Sequence, residues 1–200
     1  MNPGTVRLQV LSDITGRPRE AIRNAQKADA APWNEDDFAE GQHRRFNGFH
    51  ALALVLSEGL LAQRCSMEQA GEAVRANEGA INLFLDEVAE ATEITPRFIM
   101  AMQIAIEDSW HNAPRWEQVI ATTTGTADEI QKEISRYVAR VGQVVTTRSG
   151  RSEERVIGGP NISIVSIPEM YRLLRQRAEA AGYIVDGRRI LKIADEVESE

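Results

Sequence analysis

The chain has a single cysteine, Cys65, in 200 residues. That excludes an intrachain disulfide and any metal site built from several thiolates of one chain, and leaves Cys65 as a small buried hydrophobe. Also missing is an apolar run approaching the roughly 20 residues that a membrane-spanning helix needs. No charged start followed by an apolar stretch stands at the N-terminus, so the expectation is a soluble, cytoplasmic protein without a membrane partner. An excess of positive charge is lacking too: 23 Lys and Arg against 30 Asp and Glu give a net charge of -7. Such a balance argues against nonspecific coating of nucleic acid, so any contact with DNA must rest on a local basic surface.

Catalytic signatures are absent as well. There is no G-x-S-x-G, no H-E-x-x-H and no phosphate-binding glycine loop. The tract VIGGPNISIV lacks the lysine of a nucleotide loop, and its Gly158 and Gly159 read as a hairpin turn or strand bend. His43, His50 and His111 stand at no ligand spacing. Neither an enzyme, a metal site nor a cofactor is expected.

What is present is enough apolar residue, 42% of the chain, to bury a core as one domain or two small ones. Basic residues gather in two places. In TGRPREAIRNAQK, Arg17, Arg19, Arg23 and Lys27 face one acid, Glu20, and a second knot follows at His43, Arg44 and Arg45. The acidic loop NEDDFAE, residues 34 to 40, lies between them. The acidic ADEVESE at the end of the sequence reads as a solvated tail.

Pattern places most of the early elements on helices. VRLQVLSDITG suits a short helix ended by Gly16. PREAIRNAQKA begins a second, with Pro18 near its first turn and Glu20 well placed for the helix dipole. Two short helices across a glycine-containing turn form a helix-turn-helix candidate. Asn47 can N-cap the apolar helix after the arginines, with Phe46, Leu52, Leu54, Val55 and Leu56 as core. Ser66 and Gln69 have capping-box spacing and fix another start at Ser66.

Helices are further expected over 78–93 and 95–109, the second started by Thr95 with Pro96. In GTADEIQKEISRYVARV, one amphipathic face carries Ile130, Ile134, Tyr137, Val138 and Val141. β-Branched VVTTR, RVI and NISIVSI read as strands. PEMYRLLRQRAEAAG reads as a helix capped by Gly182, followed by a hairpin on an Asp-Gly turn in YIVDGRRILKI. The expected fold is mainly α with a small α+β C-terminal part: the helix-turn-helix candidate and the following helices in residues 1–77, helices over 78–109, and α+β over 110–200. Trp110, Trp116, Tyr137 and Tyr171 could line a pocket there, although aromatic residues at this density more often form core; no small-molecule effector is named by the sequence.

Leu11 with Thr15 and Gly16, then Ile22 and Arg23, then Arg44, Arg45 and Phe46, and finally Ser66, Met67, Glu68, Gln69 and Ala70 follow one another in an order that resembles the winged helix-turn-helix domain of the MerR family and its excisionase-like relatives. The likeness covers residues 5 to about 76. Asn24 and Ala25 depart from it where an aromatic pair is usual, and His50 where an acid often sits. It implies that residues 1–77 are a winged helix-turn-helix DNA-binding domain, 78–109 a helical linker or dimerisation region and 110–200 an α+β effector or oligomerisation domain, with double-stranded DNA as partner, a homo-oligomer with a dimer favoured, and a sequence-specific transcriptional regulator as the function. A recognition helix would offer Arg17, Arg19, Arg23, Asn24 and Lys27 to base edges and phosphates, and a wing would offer His43, Arg44 and Arg45 to the backbone. Two other classes remain open: a phage-type DNA-packaging subunit (small terminase) or excisionase-like architectural protein, and a protein-interaction module that has lost DNA binding.

Overall fold

The computed structural model of the chain describes residues 4–34, 38, 44–90, 94–108, 115–140, 144–146, 153–156 and 161–193. Among these, seven helices and seven antiparallel strands are present, and helix predominates. The helices are α1 (Leu8–Thr15), α2 (Arg19–Lys27), α3 (Gly48–Ala62), α4 (Met67–Ala76), α5 (Glu78–Ala89), α6 (Ala127–Arg140) and α7 (Ile167–Ala180). The strands are β1 (Phe98–Asp108), β2 (Arg115–Gly125), β3 (Val144–Thr146), β4 (Glu153–Val156), β5 (Asn161–Ser166), β6 (Tyr183–Asp186) and β7 (Arg189–Lys192).

Local chemistry sets the helix ends. Gly16 closes α1 in the left-handed region at φ 73, and its N–H donates to the Ser12 carbonyl at 2.9 Å; only glycine takes that conformation without a steric penalty from Cβ. Asn47 caps α3 by accepting from the His50 N–H, and the His50 ring takes the reciprocal bond from the Asn47 N–H. Ser66 and Gln69 form the expected capping box on α4. α3 is apolar almost all round, because it is the central helix of the core: Ala51 to Leu56 are all at most 1% exposed.

The five-stranded sheet is built on β1. β2 runs along the whole of one edge, from Phe98↔Gly125 to Asp108↔Arg115. The other edge is shared, β5 pairing with its first half and β4 with its second, and β3 completes the sheet beside β4. This corrects the expectation of a helix over 95–109. The near-continuous apolar run of FIMAMQIAI reads as helix on Met, Ala and Gln propensity, yet from Ile99 to Met102 both faces of β1 are covered. Ile99 and Ala101 belong to the main core, whereas Met100 and Met102 lie with Ile130 of α6 in a second cluster. A central strand buried on both faces needs no polar alternation. The expected linker is therefore helix only over 78–89 and strand over 98–108.

α6 forms as expected and packs through Ile130 and Ile134, but Val138 is 55% exposed and does not share that buried side. Val141, Gly158 and Gly159 lie outside the described residues. The C-terminal hairpin also forms, although Asp186 pairs with Arg189, so Gly187 and Arg188 are the two turn residues. Gly187, at φ 54, stands at the first central position, the placement that suits a type II′ turn.

One buried cluster runs through Val6, Leu11, Ile22, Leu52, Leu85, Val165, Leu174 and Ile190, joining α1–α5 to β5, α7 and the hairpin. Tyr171 is part of this core: it stacks edge-on to Phe84 at 5.4 Å, and its hydroxyl donates to the Val185 carbonyl and accepts from the Gly187 N–H. The hairpin presses on the start of α3, where the Gly48 N–H donates to the Arg188 carbonyl at 2.8 Å. Gln63, at the end of α3, uses its side-chain amide as a short strand, donating to the Ile164 carbonyl and accepting from the Ile164 N–H. Arg97 and Glu87 form a bidentate pair that ties α5 to the start of β1. It holds the Glu87 carboxyl below its usual range.

Candidate nucleic-acid interface

α1 and α2 are joined by the three residues Gly16 to Pro18. α2 buries Ile22 and Ala25 against the core and leaves Arg19, Arg23, Asn24 and Lys27 exposed. Arg19, Arg23 and Lys27 are four apart, so one helix side carries three cations. Two of them are lightly held: Arg19 Nη1 donates to Gln9 Oε1 at 3.0 Å, and Arg23 Nη1 to Glu20 Oε1 at 2.8 Å. These are exposed contacts, which a ligand can displace at small cost.

Arg17 is placed differently. It is half-buried, and its Nη1 donates to Ser57 Oγ of α3 at 3.3 Å. Burial pulls its pKa below the ordinary guanidinium value, against the opposing charge of Glu58. Its carbonyl accepts from Ser12 Oγ at 2.7 Å and its N–H donates to Thr15 Oγ1 at 3.4 Å. Arg17 thus braces the turn from within.

The second basic knot stands beside an aromatic cluster. Phe46 bridges to Val6 through paired backbone hydrogen bonds of 2.7 and 2.9 Å. Its ring meets those of Trp33, Phe38 and His50 edge-on at centroid distances of 5.8, 5.4 and 5.6 Å. Directly before it, Arg44 is exposed with its guanidinium over the Phe38 ring at 5.3 Å, and Arg45 is half-buried. His43 lies outside the described residues, as do residues 35–37 and 39–42 of the acidic loop.

Trp33, 1% exposed, anchors the chain between α2 and the arginines, and no repeating pattern marks it in the sequence. Beside it, Ala30 packs so closely on α4 that a Cβ at Gly71 would stand 2.4 Å from the Ala30 oxygen. The small residues of ADAAPW, 28 to 33, offer no periodicity from which this can be read. His50 sits among Trp33, Phe38, Phe46 and Phe49. Burial lowers its pKa to about 4, so it is a neutral core residue at physiological pH.

Among the described residues, no three or more His, Cys, Asp and Glu side chains gather as a metal site, and no helix is long and apolar enough to cross a membrane. No protein-family model matches the chain, and a search of curated proteins finds no match.

Proposed function

We propose that the chain is a sequence-specific double-stranded DNA-binding protein of winged helix-turn-helix type, with α2 as the recognition helix and the segment ending in Arg44 and Arg45 as the wing. One observation carries the reading: a short helix, entered through a left-handed glycine turn from α1, buries Ile22 and Ala25 and presents Arg19, Arg23 and Lys27 along one exposed side. A helix fits the major groove, where arginine pairs with guanine edges or phosphates. Asn24, exposed beside Arg23, carries an amide suited to adenine. Arg44 adds an exposed planar fork suited to phosphate, held near the body by the aromatic cluster.

Within this reading the protein is a MerR-like transcriptional regulator that binds as a homodimer. Selection of bound duplexes from a randomised library, with the oligomeric state measured in the same buffer, tests it. Enrichment of one motif with twofold symmetry by a dimer is the expected result. Enrichment of nothing would refute DNA recognition, and a larger ring would refute the regulator in favour of a packaging subunit.

A further inference from the structure

α1 ends at Thr15, and the carbonyl oxygens of a last helical turn have no partner within the helix. The partner of this one comes from the far end of the chain. Arg177 of α7 donates from Nη1 to the Thr15 oxygen at 2.8 Å, and the same guanidinium forms a two-pronged pair with Glu58 of α3, at 2.7 and 3.1 Å. The positive charge lies at the negative end of the α1 dipole. Glu58 raises the pKa of Arg177, so the cation is held at every accessible pH.

The residue before Glu58, Ser57, accepts from Arg17 on the other side of the turn. α1, the turn, α3 and α7 therefore meet in one set of bonds. Pro18 has its φ fixed near -57 by its ring. The freedom of the turn thus lies in Gly16 and Arg17, the segment that these bonds hold.

We propose that Arg177 is a positioning residue for DNA recognition: it clamps the end of α1 and so sets the direction in which α2 leaves the turn, which couples α7 to the recognition helix. The proposal rests on the DNA-binding reading above. It goes beyond it in making the basic side of α2 dependent on a residue 162 positions from Thr15.

The test uses the full chain with Arg177→Met, which keeps the apolar stem and loses the fork, and Arg177→Lys, which keeps one charged donor. Amide exchange at Gly16, Arg17 and Arg19 is read alongside affinity for a selected duplex and for an unrelated one across a salt series. Arg177→Met should speed exchange at the turn and weaken the selected duplex on the order of tenfold more than the unrelated one, with an unchanged salt slope; Arg177→Lys should fall between Met and the unmodified chain in both readouts.

Equal weakening on both duplexes with a flatter salt slope would overturn the proposal, since Arg177 would then be a phosphate contact. If Arg177→Met fails to fold, the lysine variant decides: exchange and affinity equal to those of the unmodified chain would sink the positioning role. If the unmodified chain binds no duplex, the DNA-binding reading falls and this role with it. Normal binding by a folded Arg177→Met chain with a quiet turn removes the role alone.

Discussion

Replacing Arg19, Arg23 and Lys27 together with alanine strips the cationic side of α2 while leaving Ile22 and Ala25 in the core. The cost in folding is small and can be worked out contact by contact. The Arg23–Glu20 pair is 43% and 72% exposed at its two side chains, and such pairs are worth about 0.2–1 kcal/mol. Lys27 at the C-terminal end of the helix contributes a dipole interaction of about 0.3–1 kcal/mol. Alanine returns a few tenths of a kcal/mol at each position through helix propensity. The variant should therefore lose no more than about 2 kcal/mol. DNA binding should change far more. If all three cations neutralise phosphates, the slope of log affinity against log salt falls by up to about 2.7 units, equivalent to about 40-fold between 50 and 200 mM salt. If Arg23 reads a base edge instead, the slope falls by about one unit less and the preferred site loses about 1–3 kcal/mol of its advantage. Anisotropy titrations of a labelled duplex across salt, with thermal melts followed by circular dichroism, measure both effects. An unchanged slope in a folded variant would refute the assignment of α2 as the recognition helix.

Arg44→Ala with Arg45→Ala should flatten the salt slope by up to about two units on specific and unrelated DNA alike, with little change in melting temperature; unequal effects on the two DNAs would refute a phosphate-only role. Phe46→Ala, at a ring 1% exposed among Trp33, Phe38 and His50, should cost about 3–5 kcal/mol by denaturant unfolding. Gly48→Ala would place a Cβ 2.2 Å from the Gly187 oxygen, a backbone atom that cannot swing aside. It should destabilise by about 1–3 kcal/mol, with the loss of amide protection concentrated in the β6–β7 hairpin. His50, its pKa lowered by burial to about 4 from an ordinary 6.5, is neutral in the folded chain. The unfolded chain binds the extra proton first, so this contribution to stability is complete above pH 6.5 and is lost as pH falls, by about 2 kcal/mol at pH 5 and about 3 kcal/mol once well below pH 4. His50→Gln, which keeps a capping-box residue at that position, should remove this part of the acid sensitivity, read as a smaller drop in denaturation midpoint between pH 7 and pH 4.5.

The features legible in the sequence are those decided within a few residues. Gly16, Asn47 and Ser66 mark helix ends because the bonds they make or permit are at most four residues away. The shared side of Arg19, Arg23 and Lys27 follows from helix pitch alone. The role of Arg17 did not follow, since its partner Ser57 is 40 positions along the chain, and spacing within one helix says nothing about a side chain that leaves it. Arg177 is the same case at greater separation: RLLRQRAE reads as an ordinary amphipathic helix, and only the packing of α7 on α1 and α3 brings its guanidinium to the Thr15 carbonyl.

β1 shows why a longer local pattern can mislead. Thr95 and Pro96 imitate a helix start, and Met, Ala and Gln favour helix locally. What decides the strand is tertiary: β2 on one edge, β4 and β5 on the other, the helical core against Ile99 and Ala101, and α6 over Met100 and Met102. Exposed on one face, such a run would have shown alternation; the stretch from Ile99 to Met102, covered on both, carries none, and its apolar character fits helix and strand equally. The sheet on β1 in turn packs against α4, and its strand β5 is gripped by Gln63 at the end of α3. α3, whose Ser57 accepts from Arg17 in the turn before α2, is thus joined to strands from the second half of the chain.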